Sequence, residues 1–208
     1  MAWKHYVLLS GVLLCSGCAA PAVRYYTLAE PAAMQAVSSA QETSTPYGLR
    51  LKVVQVPAPV DRAQLVVQDP ASRPSVQVLN DSLWVASLHD QIQMRLAADV
   101  SARLGVPDLS RLPGAASTPV RDVVVQVTRF DLVWGKGAWL DASWTDRAPG
   151  ARSTRVCQAR LSASAGSSVS SLVQAQQRLL GRLARLIADP GTSSSASDTE
   201  LQSSGCTL

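Results

Sequence analysis

The sequence has few of the residues on which catalysis depends. It contains two histidines, and His5 lies in a segment that we expect to be removed. His89 stands beside Asp90 at the start of a predicted helix, a position typical of a solvated side chain. No G-x-S-x-G motif is present, no His, Cys and Asp spacing suits zinc or iron, and no glycine-rich loop leads from a strand into a helix. We therefore expect no enzyme, cofactor or metal site.

Blocks of like charge and long apolar runs are also absent. The formal net charge is +4, but the basic residues are scattered, so a nucleic-acid partner is not expected. The apolar stretch 6–14 is shorter than the roughly 20 residues that a membrane-spanning helix needs. A hydrophobic content of 47% with 16% charged residues is typical of a folded chain, and the length suits one domain.

The N-terminus carries the clearest signal. A basic start, the apolar stretch 6–14 and the small residues 16–17 predict a secretory signal peptide over residues 1–17. The small pair directly before Cys18 resembles the bacterial lipobox, in which the cysteine is acylated and becomes the new N-terminus. Cys15 stands where that motif usually has leucine. Two or three acyl chains hold durably in a membrane, whereas one holds only marginally. The alternative is an ordinary cleaved signal with a chance cysteine.

The mature chain divides into three parts. Residues 18–48 show no periodicity apart from a strand-like island near 25–28, and we expect a lipidated N-terminus and tether there. Residues 49–189 carry regular apolar patterns and form the predicted globular domain. Residues 190–208 are rich in serine and aperiodic, so we expect this tail to be disordered.

Three strands, a helix, three strands and a second helix are predicted within 49–189. Ser87 followed by Asp90 resembles a capping box, and Gly105 is placed to end the first helix. Along the apolar strand that follows, the buried parity changes near Thr128, which a β-bulge or burial on both faces would explain. We expect an α/β (α+β) domain, with a mixed sheet of about six strands and two main amphipathic helices packed on it.

Two cysteines, Cys157 and Cys206, remain for pairing once Cys15 is removed and Cys18 is acylated. Cys157 shares the apolar face of a strand-like run with its neighbours two and four residues on, which favours a buried, inert thiol. Cys206 lies in the polar tail. A Cys157–Cys206 disulfide is the alternative, because the expected compartment is oxidising, but it requires the tail to fold back.

Four motifs in order resemble the ABC-type transport auxiliary lipoprotein family (PqiC-like). They are Tyr25-Tyr26-Thr27-Leu28, the segment from Val56-Pro57 through Asp61-Arg62 to Gln64-Leu65-Val66, Trp84-Val85-Ala86-Ser87-Leu88, and Val125-Gln126-Val127-Thr128-Arg129-Phe130-Asp131. The resemblance runs from Cys18 to about Asp189, which is nearly the whole mature chain.

The resemblance implies a role in transport across the cell envelope. Members are outer-membrane lipoproteins on the periplasmic side, anchored by their acyl chains. They serve systems that pair an MCE-domain protein with an inner-membrane ABC permease or related membrane protein, and these systems move phospholipid or other hydrophobic molecules. Ala19, rather than aspartate, follows Cys18, which implies export to the outer membrane. Because MCE partners form rings, the resemblance is compatible with a ring-like homo-oligomer.

Three residues are candidates for contact with a partner. Arg62 and Arg129 fall in the matched motifs, where each either holds a loop by hydrogen bonds or presents a docking charge. Trp139 alternates with polar Asp141 and Ser143, so it is either an exposed anchor or a packed cross-strand aromatic. Two other functions remain open, a periplasmic carrier with an apolar cavity and a structural envelope lipoprotein.

Overall fold

The computed structural model describes residues 22–29, 47–72, 75–112, 118–189 and 201–207. These residues form eight strands and two long helices, with a short 3-10 turn at Pro70–Ser72. In chain order the elements are β1 (Arg24–Tyr26), β2 (Gly48–Gln55), β3 (Gln64–Gln68), β4 (Val76–Trp84), α1 (Leu88–Leu104), β5 (Val120–Val133), β6 (Gly137–Arg147), β7 (Arg155–Ser164), α2 (Val169–Ala188) and β8 (Leu201–Thr207).

All eight strands belong to one mixed sheet, in which seven follow the order β1-β4-β3-β5-β6-β7-β8 and the eighth, β2, pairs with β5 outside this order. The long strand β5 pairs with β6 along one edge. On its other edge it pairs with β2 in its first half and with the end of β3 at Val133, both in parallel. The strands β5, β6, β7 and β8 form an antiparallel series joined edge to edge. The fold class is therefore the α+β single domain predicted from the sequence.

Both helices lie on one face of the sheet. Helix α1 packs on β2, and α2 packs on β5, β6 and β7. Alternate strand residues point to the helices, as the period of two requires. In β6 these are Ala138, Leu140, Ala142 and Trp144, all of which are buried. Their neighbours point to the opposite face, where the described residues provide no covering layer and Val124, Val156 and Arg160 are exposed.

Several local predictions are confirmed. Ser87 is the N-cap of α1 and accepts a hydrogen bond from the Asp90 amide, and Gly105 ends the helix in the left-handed conformation at φ 63°. Ser168, which the sequence did not distinguish from Ser170 as a cap, is the N-cap of α2 and accepts a hydrogen bond from the Ser171 amide. The pairing of β5 with β6 shifts register between Val127 and Arg129. This bulge returns the next apolar residues to the helix-facing side.

The sheet has more strands than the predicted six, and the predicted disordered tail is wrong for residues 201–207. These residues form β8, which pairs antiparallel with the edge of β7. Edge strands gain their stability from main-chain hydrogen bonds, so a serine-rich segment with exposed side chains forms one without any apolar pattern. Residues 190–200 and 208 lie outside the described ranges.

The expectation of an inert thiol at Cys157 is also wrong, because Cys157 and Cys206 form a disulfide. The two residues are direct partners in the β7–β8 register, and their Cα atoms are 4.0 Å apart. Cys157 is buried as the apolar pattern predicted, with 1% of its surface exposed. The tail does fold back, as this disulfide requires, because β8 pairs with β7 and brings Cys206 opposite Cys157.

A buried ion pair joins the sheet to the end of α2. Arg121 on β5 donates two hydrogen bonds of 2.9 Å to the carboxylate of Asp146 on β6. Its guanidinium also donates to the carbonyl of Ile187 at 2.7 Å. Arg155 on β7 donates to Asp146 at 3.0 Å. The buried carboxylate of Asp146 therefore links β5, β6 and β7. Arg121, which it holds, supplies a hydrogen-bond donor to a carbonyl in the last turn of α2.

Candidate functional site

The segment that follows the expected lipidation site is built into the domain. Strand β1 pairs in parallel with β4, and Leu28 just beyond it is completely buried, with 0% exposure. The Leu28 amide donates to Gln91 Oε1 at 3.0 Å, and Arg95 Nη1 donates to the Leu28 carbonyl at 2.8 Å. Gln177 on α2 donates to the Thr27 carbonyl at 2.9 Å. Both helices therefore hold this segment.

This attachment shortens the tether predicted over 18–48. Cys18 lies outside the described residues, but Arg24 follows it by six residues. Six residues of extended chain reach at most about 20 Å. Residues 24–29 belong to the domain, so residues 30–46 connect two parts of the sheet and do not separate the domain from Cys18. The short strand predicted near residues 25–28 is confirmed as β1, and residues 24–29 are part of the domain and not of the tether.

Two of the three candidate contact residues meet on the uncovered face of the sheet. The Arg129 guanidinium lies 5.4 Å from the centre of the Trp139 ring, a cation–π arrangement. Arg129 Nε also donates to Asp131 Oδ2 at 2.6 Å. Beneath them, Gln176 of α2 donates to the carbonyls of Asp131 and Trp139 at 3.1 Å. Gln176 thus holds β5 and β6 together from the helix side, at the position where they carry Arg129 and Trp139.

Asp141 completes this cluster. Burial raises the pKa of its carboxyl, while the positive charges of Arg129 and Arg160 act in the opposite direction. Its Oδ1 atom is buried and has no hydrogen-bond partner among the described residues. The cluster of Arg129, Asp131, Trp139 and Asp141 combines a half-buried indole, with a guanidinium over its ring, and two carboxylates, which suits contact with a protein partner.

Arg62 lies apart from this cluster, exposed in the loop between β2 and β3. His89 lies in the first turn of α1, and its Nε2 is 2.7 Å from the Val53 carbonyl oxygen. The histidine therefore ties α1 to β2, a structural contact that the sequence did not indicate. Within the described ranges, no group of three or more His, Cys, Asp or Glu side chains is placed to hold a metal ion.

Two open grooves lie on the helix side of the molecule. One, of about 300 Å³, runs between α1 and α2 and is lined by Arg95, Asp99, Arg103 and Arg185. The other, of about 630 Å³, lies between β1, β4 and the start of α2. Its lining includes Arg24, Tyr26, Trp134 and Ser168. No motif in the sequence indicates this set of residues as a whole, although Arg24 directly precedes the first family motif.

None of the helices in the described part of the chain is both long enough and apolar enough to cross a membrane.

Comparisons with known proteins agree with the family suggested by the motifs. A family model described as the ABC-type transport auxiliary lipoprotein component matches residues 26–188. A crystal structure of an uncharacterized protein is similar, with a TM-score of 0.64 and 18% identity over 81% of this chain and 98% of that chain. A crystal structure from Xanthomonas campestris gives a TM-score of 0.45 and 9% identity over 68% of this chain and 81% of that one. No curated protein matches.

Because the family model spans the region from the end of β1 to the end of α2, the chain belongs to the ABC-type transport auxiliary lipoprotein family.

Proposed function

We propose that the chain is a non-catalytic lipoprotein that docks the periplasmic conduit of an MCE-type transport system to the outer membrane. In this proposal Cys18 carries the acyl chains, and residues 1–17 are the cleaved signal peptide. The partners are an MCE-domain protein and, through it, an inner-membrane ABC permease or related membrane protein. The cargo is phospholipid or another hydrophobic molecule.

The observation that carries the proposal is the attachment of β1 and Leu28 to the domain. It holds the domain within about 20 Å of Cys18. A fixed position at the membrane suits a docking element. A carrier that exchanges cargo between distant membranes needs a long, free tether instead. Among the described residues, the groove between α1 and α2 is lined largely by polar side chains, and the groove beside β1 is open with a mixed polar and apolar lining. Neither is the enclosed apolar cavity that acyl chains require.

The cluster of Arg129, Asp131, Trp139 and Asp141 is the proposed contact for the conduit. Trp and Arg are the residues that contribute most often to binding at protein interfaces. The cluster lies on a face that the helices leave open, and Gln176 fixes its backbone. It therefore offers a contact surface that needs little ordering when a partner binds.

The test uses the full-length lipidated protein, extracted from membranes in mild detergent, with co-purifying proteins identified by mass spectrometry. Recovery of an MCE-domain protein supports the proposal. Cys18→Ser should abolish fractionation with the outer membrane. Trp139→Ala with Arg129→Ala should reduce recovery of the partner, whereas Gln158→Ala, exposed on the same face, should not. Phospholipid without any transport protein would favour the carrier and overturn the docking role.

A further inference from the structure

The strand ends define one end of the molecule, here called the turn end. Strand β5 finishes at Val133, which pairs with Gly137 at the start of β6. Gly137 pairs in turn with Ser164 at the end of β7. Gln68 at the end of β3 pairs with Val133 and with Val76 at the start of β4. The β5–β6 turn, the β3–β4 connection and the entry to α2 therefore lie together.

The direction of β1 points the lipidation site toward this end. β1 runs parallel to β4, and Arg24 pairs with Ser82. Since β4 begins at the turn end and β1 is parallel to it, the N-terminal end of β1 is directed toward the turn end. Six residues at about 3.3 Å each give about 20 Å of reach to Cys18, which is enough to bring the acyl chains level with the turn end.

The turn end has the side chains that suit a phospholipid surface. Lys136 is exposed in the β5–β6 turn, and Trp134 beside it is half-buried, with its Nε1 donating to Gln77 Oε1 at 3.4 Å. Tryptophan is enriched at the headgroup level of membranes, and lysine is attracted to anionic headgroups.

The groove of about 630 Å³ opens beside Trp134. Arg24 supplies a positive charge to its lining, and the hydroxyls of Ser167, Ser168 and Ser170 supply hydrogen-bonding groups. Tyr26 adds an aromatic surface. Asp81 is the one acidic residue in the lining, so the groove combines a cation with hydroxyls that can donate to a phosphate.

We propose that the turn end faces the leaflet that holds the Cys18 acyl chains, and that the groove between β1 and α2 receives a phospholipid headgroup of that leaflet. The proposal rests on the acylation of Cys18 in the proposed function. It adds an orientation and a lipid site. The anchor then acts together with a second, weaker contact, which raises the effective concentration of headgroups at the groove.

The orientation is tested with a dye on a single introduced cysteine in the full-length lipidated protein, reconstituted into vesicles of phosphatidylethanolamine and phosphatidylglycerol. Cys18 is acylated and Cys157 is bonded to Cys206, so only the new thiol reacts. Lys136→Cys reports the turn end. Arg185→Cys is the matched exposed position near the far end of α2, a helix of 20 residues that is about 30 Å long.

Energy transfer to headgroup-labelled phospholipid should be several-fold stronger from position 136 than from position 185. Equal transfer, or stronger transfer from position 185, would overturn the orientation while leaving acylation intact. If the protein with native Cys18 does not enter the vesicles at all, the proposed function itself is contradicted, and this inference with it.

Headgroup binding is tested by the NMR signal of the Trp134 indole N–H in full-length lipidated protein held in nonionic detergent micelles. Adding short-chain phosphatidylglycerol should shift the signal, and inorganic phosphate should shift it much less. Arg24→Gln should remove most of the shift, whereas Arg185→Gln should retain it. No lipid-dependent shift, an equal shift in Arg24→Gln, or an equal response to inorganic phosphate would overturn the lipid site.

Discussion

Asp122 and Asp146 each hold two arginines, but they differ in their access to water. Asp122 on β5 pairs with Arg50 at 3.1 Å and Arg147 at 2.7 Å, and its side chain is 19% exposed. The Asp146 side chain is 0% exposed and pairs with Arg121 and Arg155. Burial strengthens a charge pair and also makes the loss of one partner expensive.

The first prediction compares alanine at these two positions. Asp146→Ala leaves Arg121 buried without its carboxylate, and the free energy of unfolding should fall by about 3–5 kcal/mol. Asp122→Ala removes a more hydrated network and should cost about 1 kcal/mol or less. Urea unfolding followed by circular dichroism measures both. Equal losses would show that burial does not govern the contribution of these pairs.

The second prediction concerns the pH dependence of stability through Asp141. Burial raises the pKa of Asp141 in the folded state above its ordinary value of 3.8. The folded state therefore binds a proton more readily than the unfolded state. As the pH rises from 3.8 through the higher pKa of the folded state, ionisation of Asp141 lowers the stability of the fold. Asp141→Asn should raise the free energy of unfolding at neutral pH, and the gain should vanish once the pH falls below 3.8.

Asp131→Asn is the control for this experiment, because it removes the carboxylate that accepts from Arg129 at 2.6 Å. It should give no gain at neutral pH. Thermal unfolding of the three proteins across the acidic range separates the outcomes. A gain in Asp141→Asn that stayed constant down to low pH would contradict the assignment of the effect to this carboxyl.

At the scale of single elements, the third prediction concerns the junction of β1 with the helices. Leu28 is wholly buried, while Tyr25 nearby is 67% exposed. Leu28→Ala should cost about 2–5 kcal/mol and should increase hydrogen exchange in β1 before the rest of the sheet. Tyr25→Ala should change both quantities little. If β1 exchanged rapidly in the unmodified protein, it would not be a stable part of the domain.

The sequence predicted the interior elements well because their side chains alternate or recur with the period of the element. The bulge near Thr128 was indicated by the point at which the apolar residues of the strand change from one face to the other. Both ends of α1 were indicated by their cap residues. The short strand expected near residues 25–28 is present as β1, at Arg24–Tyr26. The prediction was wrong at the other edge strand, β8, which is made mainly of small polar residues whose main chain supplies the pairing. The disulfide followed from that register, which cysteine spacing does not reveal.

The candidate contact cluster was predictable only in part. Trp139 was selected by its alternation with polar neighbours, and Arg129 by its motif. Their contact depends on the β5–β6 register, in which Asp131 is opposite Trp139 and Arg129 is opposite Asp141. Arg62 was selected on the same grounds as Arg129, yet it lies in a loop apart from them. Motif membership therefore did not distinguish a cluster residue from an isolated exposed one.

At the scale of the whole molecule, the fourth prediction tests which part of the chain sets the distance from the membrane. About ten Gly and Ser residues inserted between Pro21 and Ala22 add an average span of about 18 Å. This insertion should weaken energy transfer from a dye at position 136 to labelled headgroups. The same insertion within residues 30–46 should leave the transfer unchanged. The opposite result would mean that β1 does not hold the domain in the membrane-bound protein.

The place of β1 in the sheet also determines how the anchored protein carries mechanical load. A pull between Cys18 and the domain acts first on the three pairs that join β1 to β4 and on the packing of Leu28. The connection 30–46 bears no tension while these contacts hold. If they give way, the chain that connects Cys18 to the domain lengthens from the six residues up to Arg24, about 20 Å, to the 29 residues up to Tyr47, about 100 Å, without rupture of the covalent link. The attachment of β1 thus keeps residues 30–46 out of the length of chain that connects Cys18 to the domain.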